Sequence, residues 1–461
     1  MLPLSVCEQV LARALSQGGS FAEIFAEDDR NFTMQLRSGK IENAALSRPR
    51  GAGVRIYDGL RSIYVYTCDV SLAGLLRAAE QAAAAVTDTR GAPRDVRLCA
   101  SPAVSIHPVR EHVLSVPAQR RAAVLREADA AARAVSPSIV QVTAGLLSRE
   151  QNVLIANSEG LYAQDTRVYT RLTCSAVASD GKENQTGTDN PGALMGFELF
   201  GTRVDPAAVG KKAAATAVTM LTAPYCAAGE MPVVIAGGFG GVIFHEACGH
   251  SLEATSVQPG MSEFAGRLGE TIAAPCVTAI DDGTMPGEWG SENIDDEGTP
   301  TTRLVLIENG VLKNYMVDRL NGLKMGMKPT GSGRRESYAY APTSRMRNTF
   351  IAAGQDDEQE MLRTMGDGLY AAQMGGGSVN PATGEFNFAV QEGYLVRDGR
   401  IVSPVRGASL IGKGSEILMR IDRVGREMTM GQGMCGSLSG SVPTNVGQPT
   451  IRVSRLTVGG K

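Results

Sequence analysis

Hydrophobic and polar positions change period several times along this chain, and each change marks an element. Leu4 to Ser16 carries apolar residues at helical spacing and Gly18-Gly19 closes the run, which predicts a short amphipathic helix. From Phe21 to Thr67 the pattern becomes strand-like, with Ser38-Gly39 and Asp58-Gly59 as turns, so an antiparallel meander is expected. Ser71 is placed to cap a helix running to about Val86, and Ser115 with Pro117 opens another running to about Val135. Alternation returns from Ile139 to Ala178 around the turn Ser158-Glu-Gly160, and Asp205-Pro206 then starts a helix that reaches about Leu221.

Beyond Ala223-Pro224 the chain is richer in glycine and in short apolar runs: Val233 to Ile235, Thr302 to Ile307, Phe386 to Gln391, Tyr394 to Val396 and Thr450 to Val453. Two helices are expected among these strands, one through Glu246 and one from about Asp357 to Met374, with Gly375-Gly-Gly377 as a loop. No fixed period recurs, which argues against a repeat array. The reading is an α+β chain of two domains. Residues 1–222 form mixed helices and an antiparallel sheet, and residues 223–461 form a sheet-rich domain carrying the helix through Glu246. The length of 461 residues supports the division, because single cores stop growing at roughly 250 to 300 residues.

Composition narrows the class of partner. Apolar residues make up 43% and charged residues 20%, the balance of a soluble globular chain. With 45 basic and 48 acidic side chains the net charge is −3, so no global attraction to nucleic acid or an anionic membrane is expected. Lys211-Lys212 and Arg334-Arg335 read as solvated faces. No apolar run reaches the roughly 18 residues of a spanning helix. Met1 to Ala14 mixes Glu8 and Arg13 into its apolar residues and lacks the pattern of an export signal; a cytoplasmic protein is expected. The eight cysteines are scattered without a Cys-x-x-Cys pair, which fits reduced, mostly buried thiols.

Two of the four histidines fall in one window, His245-Glu-Ala-Cys-Gly-His250. Imidazole is the commonest metal-binding side chain, and a glutamate beside the first ligand is where a zinc hydrolase keeps its general base. The bland alternative is a buried helix with two satisfied histidines. On an ideal helix a spacing of five sets the two rings roughly 140° apart. The helix is therefore expected to widen into an i to i+5 turn, or to end, between Cys248 and His250, with Gly249 easing the deformation. A catalytic zinc takes three protein ligands and keeps one open position. Cys248 shares the face of His245 but crowds His250, and it reads as packing; Cys435 lies in the glycine-rich loop Gly431-Gln-Gly-Met-Cys-Gly436. Spacing alone leaves both thiols open. Asp281-Asp282, Asp295-Asp-Glu297 and Asp356-Asp357 lack calcium-loop spacing and read as turns and helix caps.

At these residues the sequence resembles the TldD/PmbA peptidases, once called modulators of DNA gyrase. The similar stretches are Gly240-Gly-Val-Ile-Phe-His-Glu-Ala-Cys-Gly-His250, Ile294-Asp-Asp-Glu-Gly-Thr-Pro300, Gly333-Arg-Arg-Glu-Ser-Tyr338 and Met434-Cys-Gly436, the last followed by Ser441-Val-Pro443 and Val446-Gly-Gln-Pro-Thr450. The resemblance implies one Zn2+ per chain held by His245, His250 and Cys435, with Glu246 activating water. It implies the metal-keeping subunit of a hollow dimer, either a homodimer or a heterodimer with a metal-free relative, that cleaves small unfolded peptides. One departure is Ser437-Leu-Ser-Gly440, where the family commonly shows a lysine. Arg334, Arg335 and Tyr338 are candidate donors to the oxyanion, and Glu253 a candidate to orient a ligand histidine. A metal-stabilised scaffold without turnover and a gyrase-modulating regulator stand as alternative functions.

Overall fold

The computed structural model describes every residue except 88–94, 102 and 381–382. Among the described residues the first half builds one nine-stranded sheet. The strands expected between Phe21 and Thr67 form as Phe21–Arg37, Lys40–Ser47, Arg50–Asp58 and Arg61–Thr67, all paired antiparallel, but not as a simple meander, because Lys40–Ser47 and Arg50–Asp58 both pair with the long strand Phe21–Arg37. Phe21–Arg37 also pairs along its length with Ile139–Asn157, which forms a hairpin with Leu161–Ser179.

Two pairs of helices cover this sheet. Leu4–Ala14 and Leu72–Ala84 bury Val10, Leu11, Leu75 and Ala79 against Ile24, Val54 and Leu154. Ala118–Arg133 and Pro206–Thr222 bury Leu125, Ala128, Ala213 and Ala217 against Leu36, Leu146 and Leu172. The last two helices touch closely, since a Cβ at Gly210 would lie 2.1 Å from the Ala128 carbonyl oxygen. Two of the expected caps form, since Ser71 accepts from the Gly74 amide at 3.2 Å and Asp205 from the Ala207 amide at 2.9 Å, whereas the third helix starts after Pro117 without a side-chain cap and Ser115 donates to the His112 carbonyl instead. Each such cap stabilises its helix by about 1 kcal/mol.

The second half packs two sheets around one core. One sheet contains Gly229–Ile235, Gly368–Asn380, Glu385–Arg397, Ser409–Lys413 and Ile451–Gly459. The other contains Arg303–Glu308, Ala279–Asp282, Asn348–Ile351 and Gly440–Gln448, and ends at the edge strand Thr429–Ser437. Val233, Leu369, Phe388 and Val453 from the first sheet share a core with Ala279, Leu306, Ile351 and Val446 from the second. Ile243, Phe244 and Ala247 of the short helix Val242–Ala247 lie in the same core.

Three expectations are corrected here. The helix begun at Asp357 stops at Arg363 instead of reaching Met374. Gly366 adopts φ +75°, and a Cβ at Gly368 would meet the Pro232 carbonyl at 2.3 Å, so the chain is free to turn and pair parallel with Val233–Ile235. The Gly375-Gly-Gly377 tract is not a loop; it lies in that strand, at a register shift between Met374 and Gly377. The glycine-rich segment around Cys435 is likewise a strand, where a Cβ at Gly431 would come 2.7 Å from the Phe239 backbone.

Candidate metal centre

The helix carrying His245 is wedged into place by its neighbours. A Cβ at Gly241 would lie 2.5 Å from the Gly447 backbone, and one at Gly414 would lie 1.8 Å from the Ala247 carbonyl. Cys248 leaves helical geometry at φ −136°, ψ −45°, and a 3-10 turn, Gly249–Leu252, follows. The two histidines are thus brought together by a helix that ends, not by a widened turn. Their ring centroids are 5.0 Å apart with planes at 84°. Gly249 is needed for space, since a Cβ there would sit 2.2 Å from the Met346 sulfur. Cys248 is fully buried in the apolar core, and that burial pushes its thiol well above the ordinary range.

Cys435 reaches the histidines from the edge strand Thr429–Ser437. Its Sγ lies 3.3 Å from His245 Nε2 and 3.4 Å from His250 Nε2, and the three candidate ligand atoms all fall within 4.8 Å of one another. A tetrahedral zinc with ordinary Zn–N and Zn–S bonds separates nitrogen from sulfur by roughly 3.5 Å, so the donor set fits the ion. Burial alone would raise the Cys435 thiol, but the imidazoles of His245 and His250 outweigh it and hold the thiol well below its usual range. Burial would lower His250, yet Glu253 and Cys435 raise it well above the ordinary imidazole value. The environment favours a thiolate among proton or cation donors.

Two carboxylates and one guanidinium surround these atoms. Glu246 Oε2 is 3.7 Å from His250 Nε2, and its side chain keeps 23% exposure. Glu253 is buried, with Oε2 3.0 Å from His250 Nδ1 and Oε1 accepting from the Met346 amide at 3.2 Å. Arg345, fully buried, donates to the carbonyls of Cys435 and Gly440 and to Ser439 Oγ. Sequence reasoning passed over Arg345.

The Gly333 block has a different setting from the solvated turn expected of it. Arg334 and Arg335 are 1% and 2% exposed. Arg334 donates to Glu292 at 3.0 Å and to the Met346 carbonyl at 2.7 Å. Arg335 donates to Glu23 and to the Asp296 carbonyl, both at 2.7 Å, and to the Tyr64 hydroxyl at 3.2 Å. The Tyr338 amide donates to Glu27 at 2.9 Å. Arg55 contacts Glu23 and Glu297 at 2.7 Å, and Arg167 contacts Asp296 at 2.7 Å. These pairs tie the first sheet to the second half of the chain. Asp295 does form the expected turn, accepting from the Glu297 and Thr299 amides, whereas Asp296 and Glu297 are ion-pair partners.

A cavity of about 1110 Å³ opens between the halves, lined by Lys212 and Thr216, by Gln391 and Glu392, and by the edge strand as far as Met434, next to Cys435. Among the described residues no helix is long and apolar enough to cross a membrane.

Comparison with known proteins places the chain. Models of PmbA/TldA metallopeptidase domain 1, central domain and C-terminal domain match residues 22–86, 111–221 and 228–460. A Haemophilus influenzae metalloprotease TldD homolog is 35% identical, over 95% of this chain and 93% of its own length. A zinc metalloprotease TldD homolog of Saccharolobus solfataricus is 34% identical over 50% of this chain and 52% of its own. In fold, the chain is similar to a Thermotoga maritima protein described as a candidate modulator of a DNA gyrase, with TM-score 0.80, 21% identity and 99% of each chain covered. It is also similar to TldE from Thermococcus kodakarensis, with TM-score 0.76, 18% identity, and 99% of this chain and 100% of that one covered. With family models matched along most of its length and a full-length relative above 30% identity, the chain belongs to the PmbA/TldD metallopeptidase family.

Proposed function

We propose that this chain is a zinc-dependent peptidase that hydrolyses small or unfolded peptides, with His245, His250 and Cys435 holding the metal and Glu246 acting as general base. The observation that carries this reading is the convergence of two imidazoles and a thiol within 4.8 Å beside a partly exposed glutamate. Three Lewis bases facing one another need a shared cation or proton. Zinc there would supply a Lewis acid that acidifies water and polarises the scissile carbonyl.

The chain's own groups account for the rest. Glu246 takes a proton from the attacking water and returns it to the leaving amine as the C–N bond breaks. Glu253 Oε2, 3.0 Å from His250 Nδ1, would accept that nitrogen's proton in a hydrogen bond and leave Nε2 free to serve as a ligand atom. A peptide in the 1110 Å³ cavity would lie along the edge strand Thr429–Ser437, where main-chain pairing gives affinity with little sequence preference. A second copy or a metal-free relative would close the cavity as a dimer, and the likeness in fold to TldE is in keeping with that.

The test is cleavage of an unstructured peptide by the purified chain, with zinc content recorded before and after chelation. Cleavage that is lost with zinc and restored by it is the expected result. A folded chain that retains zinc but cleaves no peptide, alone or with a metal-free relative, favours the scaffold reading.

A further inference from the structure

We infer that Arg345 is a positioning residue that fixes the Cys435 thiol against the two histidines, and that it does so by closing a ring of contacts beginning and ending at Cys435. The inference rests on the zinc-site reading above. From Cys435 Sγ the ring runs 3.4 Å to His250 Nε2, then from His250 Nδ1 3.0 Å to Glu253 Oε2. Glu253 Oε1 lies 3.9 Å from Arg345 Nε, and the Arg345 fork returns to the Cys435 carbonyl. The same guanidinium grips the turn after the strand, through Ser439 Oγ at 3.0 Å and the Gly440 carbonyl at 2.8 Å.

The physical demand for such a device is clear from the topology. The histidines belong to a helix and turn inside the core, and the thiol to an edge strand 190 residues from His245. Edge strands have one neighbour and are the less constrained members of a sheet. In the turn after Cys435, Leu438-Ser-Gly440, Leu438 is 78% exposed, whereas Ser439 is fully buried and is held by Arg345, by Thr343 Oγ1 at 3.0 Å and by the Glu336 amide on its carbonyl at 2.8 Å. A buried guanidinium is costly unless its donors are met. Here the two terminal nitrogens are met by backbone and hydroxyl oxygens of the Cys435 hairpin, while Nε makes no hydrogen bond and faces the Glu253 carboxylate at 3.9 Å. Arg345 therefore holds the strand through its main chain and Glu253 through charge, and the separation of thiol and imidazole follows from both. Lysine cannot reproduce this, because a single ammonium lacks the planar fork.

Zinc affinity and the cobalt-thiolate charge-transfer absorption of the cobalt-substituted chain read this directly, without reference to turnover. Arg345→Lys and Arg345→Met should weaken zinc binding by about 10- to 100-fold and shift or diminish the thiolate band, while each purifies as a folded protein. Ser439→Ala, which removes one acceptor and leaves the guanidinium in place, should give a smaller change in the same direction. Combined with Glu253→Gln, the Arg345 variants should lose less than the product of the separate losses, since both act on one ring. Should the Arg345 variants fail to fold, Ser439→Ala and its combination with Glu253→Gln decide the matter by the same two readouts. Unchanged zinc affinity and an unchanged thiolate band in the folded variants would overturn the inference. Absence of a thiolate band in the wild-type chain would instead overturn the zinc-site reading on which it rests.

Discussion

The histidine–cysteine cluster and the arginine–carboxylate network are both buried groups of polar side chains, and they differ in how their charges are closed. In the network each guanidinium meets carboxylates or carbonyl oxygens: Arg55 lies between Glu23 and Glu297, Arg335 against Glu23, and Arg167 against Asp296. Burial would raise the Glu23 carboxyl, but Arg55 and Arg335 bring it below its usual value. At the cluster, by contrast, three Lewis bases point at one another. Opposite charges that meet one another hold the two halves of the chain together, whereas bases that converge on one point are suited to sharing a cation.

The sharpest way to break that contrast is to remove a base from the cluster. Cys435→Ser should weaken zinc binding by more than the roughly 10- to 100-fold that loss of an outer partner costs, measured by chelator competition, with the chain still folded. Removing a charge from the network should do the reverse. Arg335→Met should destabilise the chain by about 3–5 kcal/mol, read from urea unfolding, and leave zinc affinity unchanged in the protein that remains folded.

A third prediction concerns pH at the rim of the network. His107 is 5% exposed and its Nδ1 accepts from the Gly287 amide at 3.0 Å. Burial brings its pKa down to about 4. The folded value lies below the unfolded one, so the unfolded chain gains the proton first, and stability present above pH 6.5 is lost as pH falls toward 4. The loss attributable to this ring is at most about 3 kcal/mol. In His107→Gln the fall in unfolding free energy between pH 7 and pH 4.5 should be smaller than in the parent chain. The smallest effect belongs to an exposed pair: Arg397→Ala, which frees Asp367 at 2.7 Å, both about half exposed, should cost under about 1 kcal/mol.

Elements with an unbroken local pattern were legible in the sequence. The helices begun at Ser71, Pro117 and Asp205-Pro206 and the antiparallel strands of the first half carry their signals within a few residues of one another. The short helix around His245, ended by Cys248, was legible from the five-residue spacing. Resemblance to the TldD/PmbA family, and not spacing, selected Cys435 over Cys248. What escaped depends on distant partners. Arg334-Arg335 reads as a surface dipeptide because its acceptors Glu292 and Glu23 lie 42 and 312 residues away. The helix expected to reach Met374 was cut short by Gly366 and Gly368, whose role is set by the neighbouring strand Gly229–Ile235. Arg345 was invisible for the same reason, since its acceptors lie 90 to 95 residues downstream.

The role proposed for Glu246 is chemistry at a site whose metal it does not hold. Its most direct test compares Glu246→Gln with the parent chain for zinc content and for cleavage of an unstructured peptide. Equal zinc is expected in both, with a rate lower by roughly 10² to 10⁴ in the variant. Equal zinc with near-equal cleavage would contradict it.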